Sequence, residues 1–120
     1  MAADVVAAER ARAFDLLALG EFDTEWREEA AVPDAQSLGA LDGFRLVSAG
    51  DQVRLSVYVY SRWGEGLDTG ITLEEMVDGD VYYARSTTNG RLLCFALCNA
   101  DSSSGRQLVD EVLGAMAGWE

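Results

Sequence analysis

The only two cysteines of the chain, Cys94 and Cys98, stand four residues apart in the apolar run RLLCFALC, residues 91–98. Thiols in proximity could bind a soft metal or cycle through a disulfide. On a β-strand, however, successive side chains alternate between faces. Leu92, Cys94, Ala96 and Cys98 then share one face, and Leu93, Phe95 and Leu97 the other. The thiols would lie roughly 13 Å apart along the strand. A disulfide needs Cα atoms about 4.4–6.8 Å apart. Both faces are apolar, which is the pattern of a strand covered on both sides. The small face suits a closely packed helix, and buried free cysteine behaves as a small hydrophobe. The expectation is two core thiols, with no metal and no cofactor. The chain also has no histidine. That removes the commonest general base, the Ser-His and Cys-His nucleophile pairs and imidazole ligation. Two cysteines without histidine cannot close a four-ligand zinc site of the Cys/His type within one chain.

Three further patterns invite chemistry. Gly64-Glu65-Gly66 with Gly70 follows a strand, but a dinucleotide loop needs a substantial helix and then a parallel strand. Only about ten residues separate Gly70 from the next strand, so a flexible loop explains the glycines. Asp78 and Asp80 could begin a calcium loop, but Tyr82 and Asn89 occupy later ligand positions, so a turn between strands is expected. Asp68-Thr69-Gly70 resembles the active-site tripeptide of aspartic proteases, including the dimeric retropepsin-like ones. That resemblance implies Asp68 as the catalytic carboxylate, one from each subunit of a dimer. It stops at three residues: the stretch Trp63–Leu67 before it is glycine-rich and acidic, and Ile71 stands where a small residue usually follows.

Binding surfaces are better represented than catalytic ones. Tyr58 and Tyr60 alternate on the polar side of VRLSVYVYS, with Arg62 and Trp63 just beyond. Tyr, Trp and Arg are the residue types enriched at interface hot spots. The competing reading is that the N-terminal helix covers this face and the tyrosines anchor it. In the acidic stretch, Glu25, Glu28 and Glu29 flank Trp26. They form either a solvated face or an aromatic anchor among charges that attract Arg and Lys.

Charge narrows the partners. There are 21 acidic residues against nine basic ones, for a net charge of −12. All the bases are arginine. Phosphate-directed binding of nucleic acid or of anionic membranes needs the opposite sign. A basic protein partner is favoured. The absence of lysine, the single Ile71 and the many Ala, Gly and Arg are also what a GC-rich genome or adaptation to high salt produces. In that case the acids answer to the solvent.

These residues must be positioned by a few elements. Residues 3–19 read as a helix with Val6, Ala13 and Leu17 on one face. Residues 20–43 hold seven acids, one Arg and the sole proline, and read as a long irregular connection with a helical turn near 24–30. Residues 44–48 and 53–61 are strand-like around Ala49–Gln52, and residues 62–70 read as a glycine-broken loop. Residues 72–79 fit equally a short helix capped by Thr72 and Glu75 or a hairpin turning at Asp78-Gly79. Residues 81–86 and 91–98 are strands joined at Asn89-Gly90. Ser103–Gly118 closes as a helix, with Ser102 to Ser104 as caps and Leu108, Val112, Leu113 and Met116 as its stripe.

The expected architecture is α+β: one domain over 1–120, with a single antiparallel sheet of four to five strands and a helix at each end. No run is apolar enough to cross a membrane, and residues 1–17 do not read as a secretory signal, so a cytoplasmic protein is expected. The order helix–hairpin–hairpin–helix resembles, in outline only, class I type III secretion chaperones and roadblock-like modules. Both have a longer middle helix, which this chain is expected to lack, and no residue carries across. The expected function is a small non-enzymatic protein-binding module: an adaptor, inhibitor or immunity-type protein, compatible with a homodimer. A small-ligand sensor with a pocket lined by Tyr and Arg is the alternative.

Overall fold

The computed structural model describes residues 2–118. The order is α1 (Ala2–Leu19), β1 (Arg27–Ala30), β2 (Asp42–Val47), β3 (Arg54–Val59), α2 (Leu67–Met76), β4 (Tyr82–Asn89), β5 (Leu92–Asn99) and α3 (Ser103–Met116). The five strands form one antiparallel sheet in the order β1-β2-β3-β5-β4. β5 lies between β3 and β4, so α2 carries the chain over one face of the sheet to its far edge. No helix among the described residues is long and apolar enough to cross a membrane.

Strand alternation divides the sheet into two faces, and each has its own cover. Phe44, Leu46, Val53, Leu55, Val57 and Val59 point with Leu92, Cys94, Ala96 and Cys98 toward α1 and α3. There they meet Ala13 and Leu17 of α1 and Val109, Val112, Leu113 and Met116 of α3. Phe14 extends this packing at the edge by stacking on Phe44 with ring centroids 5.3 Å apart. The opposite face carries Tyr58, Tyr60, Ala84, Leu93 and Phe95 under Leu73 of α2 and Ala31. β5 is therefore covered on both sides, as its doubly apolar pattern requires.

Local sequence explains the helix ends and the turns. The Ser102 hydroxyl accepts a 3.0 Å bond from the Gly105 amide and so satisfies one donor of the first turn of α3. The β4–β5 hairpin turns at Gly90 with φ 61°, the left-handed region that glycine enters without steric cost. Arg12 fastens α1 to this hairpin through Asn89, with its guanidinium 2.9 Å from the side-chain oxygen and 2.6 Å from the carbonyl.

Three expectations need correction. The connection 20–43 holds an edge strand, β1, where a helical turn was expected, and a short 3-10 turn at Gln36–Leu38. β1 forms because the β2 edge offers unpaired backbone groups that Arg27–Ala30 satisfy in register with Phe44–Val47. The segment 62–70 is not wholly a loop, since α2 begins at Leu67 and resolves the ambiguity of 72–79 in favour of helix. The chain therefore has a middle helix of 10 residues, where at most a short one was expected. The reason is Gly70, which sits against the sheet. A Cβ there would lie 2.8 Å from both Leu93 Cδ1 and Ser86 Oγ. This glycine admits close packing and does not break the helix.

Candidate functional site

The cysteines lie where the strand pattern places them. Both are free and buried. Burial pushes the Cys94 thiol up from 9.0 to about 12, with only a weak opposing pull from Arg12. Burial also raises Cys98. Gly105 brings α3 close enough that a Cβ there would be 3.1 Å from the Cys98 sulfur. Thiolate is the nucleophile and the metal ligand, and burial works against its formation at both positions. Among the described residues, no group of three or more Cys, Asp or Glu side chains is arranged to hold a metal.

Tyr58 and Tyr60 do not form an exposed binding face. They are 0% and 2% exposed. The Tyr58 hydroxyl donates to the Pro33 carbonyl at 2.6 Å, and the Tyr60 hydroxyl donates to the Leu38 carbonyl at 3.0 Å. Burial raises the pKa of both phenols. The two tyrosines anchor an overlying segment, but that segment is 31–41, with α2 beside it, and not the N-terminal helix. The alternation was legible, but what covers the face depends on a segment far from it in sequence. Gly43 permits the fit, since a Cβ there would stand 2.8 Å from the Tyr58 ring.

The acidic candidates are divided. Glu28 accepts two 3.1 Å bonds from Arg10, and Glu29 lies 3.7 Å from Arg45 and 3.8 Å from Arg27. Such exposed pairs contribute about 0–1 kcal/mol each. Trp26 is half-buried and packs against the core under α1 and α3, while Glu25 is exposed. This segment is thus mostly engaged in holding β1 to its neighbours.

Asp68 lies in the first turn of α2 and is exposed, while Gly70 is buried under the helix. The tripeptide Asp68-Thr69-Gly70 is therefore helical. Asp78 accepts from the Asp80 amide at 3.0 Å, which makes a local turn.

The surface that the structure does assemble is the outer side of α2. Leu67, Ile71 and Glu75 form one exposed row at helical spacing, and Asp68, Thr72 and Met76 form the adjacent exposed row. Trp63, 80% exposed, stands just before the helix, with Arg62 also exposed. Large exposed apolar side chains are concentrated here: Trp63, Leu67, Ile71, Met76, Val81 and Tyr82. Over the same span Glu65, Asp68, Glu74, Glu75, Asp78 and Asp80 bring acid without any base between Trp63 and Ala84. Sequence reasoning found Arg62 and Trp63 but missed Leu67, Ile71 and Met76. Their i, i+4 and i+9 spacing was the available signal once residues 67–70 are taken as helical.

Two depressions bear on ligand binding. A cleft of about 680 Å³ between the ends of α1 and α3 is lined by Leu16, Leu19, Phe22, Glu111 and small residues, without Tyr or Arg. A second, of about 460 Å³, opens beyond the end of α2 and carries Arg45, Arg54 and Tyr82. No family model, curated protein or solved structure matches the chain.

Proposed function

We propose that this chain is a small non-enzymatic protein-binding module, an adaptor, inhibitor or immunity-type protein, which engages its partner through the outer face of α2 and Trp63. One observation carries the reading: of the ten large apolar side chains exposed among the described residues, six fall between Trp63 and Tyr82, with Leu67 and Ile71 adjacent on the outer side of α2. Contiguous exposed apolar side chains rimmed by charge mark interaction sites more often than scattered ones do. An exposed tryptophan is a typical anchor of such a site. The interleaved acids select a partner segment that bears Arg or Lys beside its apolar residues. They disfavour a homodimer through this face, because a two-fold axis would set acid against acid. Two free thiols suit the reducing cytoplasm.

The test is site-specific crosslinking. A photoreactive residue is placed at position 67 or, as control, at exposed position 104 on α3, and extract of the native organism is irradiated. A basic protein crosslinked from 67, not from 104, and lost in a Trp63→Ser, Ile71→Glu background is the expected result. Equal crosslinking from both positions, or none from 67, would sink the assignment. Both background substitutions are on exposed side chains, so stability should change by no more than about 0.5 kcal/mol.

A further inference from the structure

Among the described residues, six of the nine arginines have an evident companion. Arg10, Arg12, Arg27 and Arg45 lie within ion-pair distance of carboxylates. Arg85 and Arg106 lie over the Tyr83 ring at 4.4 and 5.0 Å. Among the described residues Arg54, Arg62 and Arg91 have neither, although the chain carries 21 acidic residues against nine basic ones, and of these three only Arg54 lines the opening described next. Arg54 is half-buried and lines the opening of about 460 Å³ together with Arg45, Met76, Val77, Asp78, Tyr82 and Leu97. That volume is within the range of about 300–1,000 Å³ usual for small-molecule sites.

The topology explains why the opening exists. Arg54 faces the same side of the sheet as Tyr58, and its strand partner across β5 is Leu97. Arg45 is on the neighbouring strand β2, opposite Ser56, on the same side. α2 covers this side only as far as Met76, and Val77 then turns into extended backbone with ψ 135°. The end of the sheet is therefore floored by Arg54 and Leu97 and walled by Met76, Val77 and Tyr82.

We propose that this opening is a binding site for a small monocarboxylate with an apolar body, held by the Arg54 guanidinium. The guanidinium fork matches a carboxylate bidentately. The two terminal nitrogens of Arg45 are already committed, one donating to the Val32 carbonyl at 2.9 Å and the other lying 3.7 Å from Glu29, while its buried Nε has no partner among the described residues. The single positive charge of Arg54 matches one carboxylate and not a phosphate dianion, and Asp78 on the rim opposes any further negative charge. Met76, Val77, Leu97 and Tyr82 supply apolar contact for the rest of the ligand. The acids elsewhere on the surface act weakly at this range, because physiological salt screens charge over about 8 Å. The site shares Met76, Asp78 and Tyr82 with the edge of the α2 surface, but its anchor Arg54 lies outside that surface and neither reading requires the other.

The test uses hexanoate as the probe and hexan-1-ol as the uncharged control, followed by two-dimensional NMR of the full chain. Hexanoate is expected to shift resonances of Arg54, Leu97 and Tyr82 saturably, with a Kd in the millimolar range, and hexan-1-ol is not. Arg54→Gln should weaken hexanoate binding by at least about tenfold, since a charge-assisted bond is lost. Asp78→Asn, which keeps the acceptor for the Asp80 amide, should bind hexanoate at least as tightly as the wild type. Shifts confined to other residues, equal binding of hexan-1-ol, an unchanged Kd in Arg54→Gln, or weaker binding in Asp78→Asn would each overturn the proposal. The spectrum away from the pocket reports whether each variant is folded. If Arg54→Gln does not fold, the Asp78→Asn and hexan-1-ol arms still decide.

Discussion

The hydroxyl of Tyr58, a wholly buried side chain of β3, donates a 2.6 Å hydrogen bond to the carbonyl of Pro33, 25 residues earlier. This bond, with that of Tyr60 to Leu38, ties the segment 31–41 across a sheet face that would otherwise be open. Tyr58→Phe keeps the ring packing and removes the donor, leaving the Pro33 carbonyl without it. The cost should be about 1–2 kcal/mol. The checks are the urea midpoint and the rate of proteolytic nicking in 31–41, which should rise. A variant as resistant as the wild type would show that the segment is held by apolar contact alone. Tyr58→Ala should cost more, about 3–5 kcal/mol, because a cavity replaces the ring.

The thiols offer a second measurement. Cys94 has its thiol raised to about 12 by burial, so a thiol reagent at pH 7 should modify the native chain no faster than the chain opens. The stability sign follows. A raised folded-state pKa means that the unfolded chain gives up its proton first as pH increases. The contribution is whole below the ordinary value of 9.0 and declines as pH rises from there toward about 12. Cys94→Ser should remove this alkaline loss, while placing a hydroxyl among apolar neighbours. The pH dependence of the denaturant midpoint, in wild type and variant, is the check. Fast labelling of native protein at pH 7 would contradict the buried placement.

Gly70 yields the third prediction. A Cβ at this position meets Leu93 Cδ1 and Ser86 Oγ at 2.8 Å each, closer than real contacts allow. Gly70→Val should push α2 off the sheet and destabilise the fold by about 1–3 kcal/mol, as overpacking does. It should also break the 2.8 Å bond from Ser86 to Glu74. Gly79→Ala is the control, because nothing lies within 4 Å of its Cβ. Thermal midpoints of the two variants decide: equal midpoints would remove the close-packing role.

The α2 region shows why local reading fell short. Gly64, Gly66 and Gly70 look like punctuation in a linear string, and glycine does weaken an isolated helix. Gly70 instead faces the sheet, where the absence of a side chain allows close approach. Once residues 67–76 are helical, Leu67 leaves the segment read as a loop and joins Ile71 and Met76 on one exposed surface. Arg54 is a parallel case. Nothing next to it in sequence distinguishes it from other arginines, and its lack of a carboxylate is a property of the folded surroundings.

By itself, the sequence determined what short-range periodicity can encode. The two-residue alternation of VRLSVYVYS and RLLCFALC set which side chains share a face, and so put both thiols in the core. Asn89-Gly90 set the second hairpin, Ser102 the start of α3, and the absence of histidine the chemistry that is excluded. Tertiary structure alone decided what lies over each face: the segment 31–41 over the tyrosines, α1 and α3 over the cysteines, and nothing over the outer rows of α2. The physical reason is that periodicity acts over one or two turns of chain. Burial and charge pairing are settled between segments brought together only when the whole chain has folded.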